Sequence, residues 1–180
     1  MKRTIIAMML VTTPAYADGP FGISAGSSLQ DVAAISDKPG ENGFIKLASV
    51  PRPHPDLFDY QVKLNAAGRV CRINAAREGD DLISARFLRE RIRQQIAEKY
   101  GPYESKDGPV ELAAVTQLMT FPVGASSTTY IWSKKSRAEL AEDIGKISVL
   151  EFIVGLESDI ISVSFDFNGD NSCDDPSNPF

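Results

Sequence analysis

Histidine, cysteine and long apolar runs are scarce in this sequence. Its 180 residues include one His and two Cys. Zinc sites usually combine several His or Cys ligands, and the common hydrolase triads need a histidine base, so both are hard to build here. No apolar run approaches the roughly 20 residues that a membrane-spanning helix needs. We therefore expect no multi-histidine metal site and no helical membrane span.

Basic residues are also outnumbered. The chain has 24 Asp and Glu against 19 Lys and Arg, a formal net charge of −5. Nucleic-acid binding needs a basic surface that displaces counterions from phosphate, so this balance argues against a nucleic-acid partner. The hydrophobic fraction of 43% and the charged fraction of 24% are ordinary for a folded protein, and the length fits one domain.

Residues 1–17 have the three parts of a secretory signal peptide. Lys2 and Arg3 supply the basic start, an apolar stretch follows, and Ala15-Tyr16-Ala17 provides the small residues that signal peptidase requires. The alternative is a buried N-terminal strand or helix. No cysteine follows the apolar stretch, which argues against a lipid anchor. We expect a periplasmic or secreted domain, 18–180, whose net charge is −7 because two basic residues are removed.

An oxidising compartment makes Cys71 and Cys173 a candidate disulfide. Cys71 lies in an alternating, strand-like segment, and Cys173 lies in the polar C-terminal tail. A bond between them would fix the tail to the middle of the sheet. The alternative is a buried, reduced Cys71 with an exposed Cys173, and a catalytic thiol would have to rely on the single histidine.

Apolar spacing divides the rest of the chain into helices and strands. A capping box of Ser28 and Asp31 precedes helical spacing at 29–35, and Gly101-Pro102 ends helical spacing at 82–100. The other expected elements are a hairpin of 58–64 and 69–75, strands at 44–50, 110–118, 128–132, 147–155 and 160–167, and a short helix at 137–144.

This order of elements is typical of an α+β domain. At 160–167, apolar residues alternate with Ser162, Ser164 and Asp166, as on a half-solvated antiparallel sheet. We therefore expect a two-layer α+β fold, an antiparallel sheet with helices on one face.

Short motifs carry a resemblance to known proteins. The segment 26–32 followed by Pro39, and the helix ending at 99–102, resemble the repeats of the β-lactamase-inhibitor-protein-like fold, which small outer-membrane assembly lipoproteins also use. A group of exported proteobacterial proteins of unassigned activity is similar in Phe21-Gly22, 68–71, Tyr100-Gly101 and the late cysteine. The resemblance implies tandem helix-plus-strands repeats, with halves 18–78 and 79–180, and a fold group that binds rather than catalyses. The chain lacks the lipidated cysteine of the lipoproteins.

Arginines on the second helix form the main candidate binding site. Arg86, Arg89 and Arg93 follow helical spacing and predict a basic stripe for an acidic partner or an anion. The alternative is a solvated face that pairs with acids such as Glu90. We interpret Tyr130 and Trp132 as core or cross-strand aromatics. An exposed aromatic beside the arginines would favour binding.

Asp166, Asn168 and Asp170 begin like a weak calcium loop. However, Asn171 stands where the turn glycine belongs and Ser177 where the bidentate glutamate belongs, so the alternative is a solvated acidic tail. His54 lies between two prolines and is typical of an exposed loop residue.

Taken together, the patterns favour a non-enzymatic binding protein of the bacterial envelope with no cofactor and with an envelope protein as its partner. Two alternatives stay open. One is a small periplasmic hydrolase that uses two converging carboxylates, and the other is a small-ligand or calcium-binding protein.

Overall fold

The computed structural model describes residues 19–40, 42–78, 82–108, 126–154 and 158–173. These residues form an α+β fold that is mostly sheet, with one α-helix and eight antiparallel strands in the spatial order β1-β2-β3-β4-β8-β7-β6-β5. The elements are β1 (Ala33–Ala34), β2 (Phe44–Ser49), β3 (Asp59–Leu64), β4 (Val70–Glu78), α1 (Leu82–Tyr100), β5 (Glu104–Gly108), β6 (Ser126–Ser133), β7 (Ile144–Val154) and β8 (Ser158–Phe167). The hairpin, the helix 82–100 and the strands predicted at 44–50, 128–132, 147–155 and 160–167 are confirmed.

One face of the sheet is buried. Alternate side chains of β2, β3, β4, β6, β7 and β8 join the helix residues Leu88, Ile92, Ile96 and Tyr100 in a single apolar core. The sheet residues of that core include Ile45, Val62, Ile73, Trp132, Val149 and Val163. Burial of each large aliphatic side chain stabilises the fold by about 1.5–3 kcal/mol.

The other face of the sheet is polar, and we call it the open face. Its side chains pair directly across neighbouring strands and are half-buried, with Lys46 more exposed. They are Phe44, Lys46, Asp59, Gln61, Lys63, Arg72, Asn74, Ala76, Ser162, Ser164, Asp166, Lys146, Ser148, Thr129, Ile131 and Ser133. The sheet therefore separates an apolar core from a polar surface.

The helix α1 ends where the sequence predicts. Gly101 adopts a left-handed conformation, with φ of 78°, and its amide donates to the carbonyl of Ala97 at 2.8 Å. This conformation costs a glycine little and would strain other residues, so Gly101 ends the helix and turns the chain toward β5.

The predicted first α-helix at 29–35 is wrong. Residues Leu29–Asp31 form one 3-10 turn, and Val32 is already extended, with φ of −117° and ψ of 149°. The capping contact is present, because the amide and hydroxyl of Ser28 donate to Oδ2 of Asp31 at 2.8 and 2.7 Å. Ala33 and Ala34 then pair with β2, so their backbone is not available to continue a helix.

The short helix predicted at 137–144 is also wrong. A 3-10 turn covers Lys134–Ser136, and Arg137 then has a left-handed φ of 63°. The amide of Ala138 donates to Ser133, and the amide of Glu139 donates to the carbonyl of Tyr100 at 2.8 Å, which ties this segment to the end of α1. These contacts replace helical hydrogen bonds.

Three expectations fall wholly or partly on undescribed parts of the chain. The signal peptide 1–17 and the strand predicted at 110–118 lie outside the described residues. The described residues contain one α-helix, so the two-layer arrangement with helices on one face and the tandem repeat of halves 18–78 and 79–180 stay predictions.

Candidate functional site

A sulfur pair joins the start of β4 to the end of the described chain. The sulfur atoms of Cys71 and Cys173 lie 1.99 Å apart, at disulfide distance, and their Cα atoms are 4.9 Å apart. Cys71 is fully buried. This is the pair that the sequence predicts, and it fixes the segment after β8 to the centre of the sheet.

Arg93 of the predicted stripe faces the sheet. Its Nη1 donates to the phenol oxygen of Tyr130 at 2.8 Å, and its guanidinium carbon lies 4.7 Å from the centre of that ring. It also pairs with Glu90 one turn earlier on the helix. Arg93 therefore holds α1 against β6. Tyr130 is half-buried and lies beside this arginine, a contact that the sequence alone does not predict.

The other two arginines of the stripe are Arg86 and Arg89. Arg89 is half-buried, and the side chain of Arg86 is outside the described residues. The partner-binding role of Arg86, Arg89 and Arg93 stays a prediction. Because Arg93 already contacts Tyr130 and Glu90, binding to a partner would compete with these contacts.

Aromatic side chains continue from Tyr130 to the end of the helix. The ring of Tyr103 lies 5.3 Å from that of Tyr130 and 5.0 Å from that of Trp132. Trp132 is fully buried, and its Nε1 donates to the carbonyl of Gly101 at 2.9 Å. As expected, Trp132 is a core residue.

The proline-rich segment 51–57, which we call the strap, is docked on α1. His54 Nε2 lies 3.0 Å from Oε1 of Gln95, and its Nδ1 accepts the amide of Asp56 at 3.1 Å. The Asp56 carboxylate receives two hydrogen bonds from Arg91, at 2.6 and 3.1 Å. His54 is thus half-buried and packed, which its position between prolines did not indicate.

Tyr60 supports the same segment from β3. Its hydroxyl accepts the amide of His54 at 2.8 Å. Burial disfavours the phenolate and raises the pKa of Tyr60 above 10.0, against the smaller opposing effect of its hydrogen bond with the His54 backbone. A raised pKa keeps this phenol neutral in the ordinary pH range.

Two of the three candidate calcium ligands, Asp166 and Asn168, are engaged in other contacts. The carboxylate of Asp166 pairs with Arg72 and, at 3.0 Å, with Lys146, and the amide nitrogen of Asn168 donates to the carbonyl of Glu142. Asp170 is exposed on a 3-10 turn after β8. Among the described residues, no group of three or more His, Cys, Asp or Glu is placed to hold a metal ion. Two cations on Asp166 oppose a third, so these contacts disfavour the calcium hypothesis.

The ion pairs of the described residues also bear on the hydrolase alternative. In the described pairs, the carboxylates of Asp56, Asp59, Asp166 and Glu90 each face a lysine or an arginine. A carboxylate hydrolase needs two carboxyl groups that face one substrate bond. None of these four pairs supplies that arrangement.

At the centre of the open face, a polar network fixes the side chain of Asn74. The hydroxyls of Ser162 and Ser164 both donate to Oδ1 of Asn74, at 2.7 and 2.9 Å. With its oxygen held from β8, the amide directs its Nδ2 group away from these serines. Within the described residues this group has no hydrogen-bond acceptor, so it is a donor that a ligand could use.

A row of charges crosses the open face next to this network. The strand register places Lys63, Arg72, Asp166 and Lys146 side by side on β3, β4, β8 and β7. We call Lys63, Arg72 and Lys146 the cationic row. The sequence does not predict this row, because the row depends on strand order, although the alternation in β8 indicates a polar face.

No protein-family model, curated protein or solved structure matches the chain. No helix in the parts of the chain that the structure describes has the length and hydrophobicity of a membrane span.

Proposed function

We propose that the protein is an exported, non-enzymatic binding protein of the bacterial envelope, and that it presents the open face to a macromolecular partner. The observation that carries the proposal is the contrast between the two faces of the sheet. Alternate side chains of the strands join residues of α1 in one buried apolar core, whereas the side chains between them stay half-exposed over at least five neighbouring strands.

The chemistry of the open face supports binding. Asn74 is held in one orientation by Ser162 and Ser164, so a partner would meet a donor whose position is already fixed. A preorganised group loses less conformational entropy on binding than a mobile one. The sheet beneath supplies a rigid support, because its core side chains are closely buried.

Two features support the exported location. The segment 1–17 has the pattern of a signal peptide, and the sulfurs of Cys71 and Cys173 lie at disulfide distance. A helix-plus-strands repeat of the β-lactamase-inhibitor-protein-like kind, with helices layered on one sheet face, belongs to the same proposal.

Site-specific photo-crosslinking in cells tests the proposal. A benzophenone side chain at Ser148, on the open face, is expected to give a crosslinked adduct with the partner. The matched control is the same group at Gln94, which is exposed on α1 on the other side of the sheet. Both variants should keep the melting temperature of the parent protein within the error of the measurement.

The position dependence of the adduct decides the outcome. An adduct formed from Ser148 and not from Gln94 supports the open face as the binding surface. Equal adducts from both positions, or an adduct from Gln94 alone, contradict it. An adduct that forms only from the helix position would favour the arginines of α1 as the binding site.

A further inference from the structure

We infer that the open face binds an extended, acidic segment of a protein partner along the cationic row. This inference rests on the proposed function, because it takes the open face as the binding surface. It adds the chemistry of the partner and the residues that select it.

The cationic row has a defined span. Lys63 is paired with Arg72 on the next strand, Arg72 with Asp166, and Asp166 with Lys146. Neighbouring strands lie about 4.8 Å apart, so the row extends about 14 Å from β3 to β7. An extended peptide of about five residues covers that distance at about 3.3 Å per residue.

The single acid in the row is recessed between two cations. The side chain of Asp166 is 16% exposed, against 32% for Arg72 and 45% for Lys146. A ligand from solvent therefore meets the cations first, while Asp166 holds them in place from below. With Lys63, three positive charges stand against one negative charge.

This local charge is opposite to that of the whole protein. The chain carries a net charge of −5, yet the row is net positive. Local positive charge on an acidic protein favours a small acidic ligand or segment over a broad anionic surface, which the rest of the chain would repel. An anionic bilayer is therefore the less favoured partner.

Neighbouring groups on the open face extend the same preference. Asn74 lies on the same strand as Arg72, and its Nδ2 group is a donor without an acceptor among the described residues. Half-buried apolar side chains flank the polar centre, with Phe44 opposite Lys63 and Ile131 opposite Ser148. Such apolar positions suit a peptide whose acidic residues alternate with apolar ones better than a uniformly polar polysaccharide.

Fluorescence anisotropy with defined probes tests the inference. The first probe is a labelled hexapeptide in which Asp and Leu alternate, and its matched control replaces each Asp with Asn. Polygalacturonate and phosphatidylglycerol vesicles are the polysaccharide and membrane probes. The proteins are the parent, the double variant Lys63→Glu/Lys146→Glu, and Lys99→Glu, which changes an exposed lysine of α1.

We expect the Asp peptide to bind the parent protein and the Asn peptide to bind at least tenfold more weakly. The double variant should lose about tenfold in affinity, because it removes two charge contacts with the peptide and adds repulsion. Lys99→Glu should stay within about twofold of the parent, since a distant exposed charge is largely screened.

Several results would overturn the inference. Equal affinity of the parent and the double variant for the Asp peptide removes the cationic row from recognition. No binding of the Asp peptide, or row-dependent binding of polygalacturonate or vesicles without binding of the peptide, replaces the acidic segment with another partner class. Melting temperatures and the intact-mass state of Cys71 and Cys173 confirm that the variants are folded.

The crosslinking experiment separates the two levels of failure. If the double variant still forms the adduct at Ser148 as the parent does, the acidic-segment inference fails and the open-face function stands. If the adduct from Ser148 does not form, or if the same adduct also forms from Gln94, the proposed function itself fails.

Discussion

Arg93 lies over the ring of Tyr130, with its guanidinium carbon 4.7 Å from the ring centre and its Nη1 2.8 Å from the phenol oxygen. The contact joins α1 to β6, two elements that are 37 positions apart at these residues. An arginine that helical spacing assigns to a docking stripe thus contributes to the packing of the helix on the sheet.

We expect Arg93→Ala to lower the free energy of unfolding by about 1–2 kcal/mol, since it removes a cation–π contact and a hydrogen bond. Tyr130→Phe should cost less, because it keeps the ring and loses only the hydroxyl. Urea denaturation measures both changes. The control is Glu98→Ala, at an exposed position on the same helix. A value for Arg93→Ala equal to that of the control would contradict a packing role.

Helical and strand patterns predicted those elements whose apolar residues all face one core. The bounds of α1 are those that the sequence predicts, and β8 extends the predicted strand by two residues, because Leu88, Ile92, Ile96 and the alternating residues of β8 meet in one cluster. The polar side of β8 was also predicted correctly, and it became the centre of the open face.

The failures have a common physical cause, which is hydrogen bonding over long sequence distances. Residues 29–35 have helical spacing, but β1 pairs with β2, and in the segment after Arg137 the amide of Glu139 bonds to Tyr100. The strand β5 has a polar sequence without apolar alternation and exists through its pairing with β6. Local patterns do not contain these partners.

The cationic row could not be predicted for the same reason. Arg72 and Asp166 are 94 positions apart, and only the placement of β8 between β4 and β7 brings them together. In contrast, the pairing of Cys71 with Cys173 could be predicted without the strand order, because a chain with two cysteines allows only one intramolecular disulfide.

The disulfide gives the second expectation. Intact-mass analysis after thiol labelling under denaturing conditions should show no labelled site before reduction and two after it. The bond closes a loop with a sequence separation of 102, and Cys173→Ala should lower the free energy of unfolding by about 2–4 kcal/mol. Cys173 is the better position to change, because Cys71 is fully buried and its loss would also disturb the core. Two labelled thiols without reductant would refute the bond.

Acid stability gives the third expectation. Hydrogen bonds from the hydroxyl and amide of Ser28 lower the pKa of Asp31 below 3.8. A lowered folded-state pKa means that the carboxylate contributes stability above its ordinary pKa and loses it as pH falls through the folded value. Asp31→Asn should therefore reduce the loss of melting temperature between about pH 5 and pH 2.

The matched control for this pH effect is Asp37→Asn, at another exposed aspartate. In this variant, the loss of melting temperature between about pH 5 and pH 2 should equal that of the parent protein. If Asp31→Asn and Asp37→Asn change this loss of melting temperature equally, the Ser28 contact has no specific effect on Asp31.

The strap gives the last expectation. Arg91 donates two hydrogen bonds to the Asp56 carboxylate. The side chain of Asp56 is 15% exposed, and that of Arg91 is 55% exposed. Because a two-point contact with a half-buried carboxylate needs the planar guanidinium, Arg91→Lys should cost about 0.5–1 kcal/mol even though the charge is kept.

The same change should open the strap locally. Leu57 follows Asp56 and is 3% exposed, so release of the carboxylate should let this part of the strap leave the core more often. Amide hydrogen exchange at Asp56 and Leu57 should become several-fold faster in Arg91→Lys, while exchange at Ile73 in central β4 should follow the change in global stability. Unchanged exchange at these two amides would show that the Pro-rich sequence and the burial of Leu57 hold the strap without help from α1.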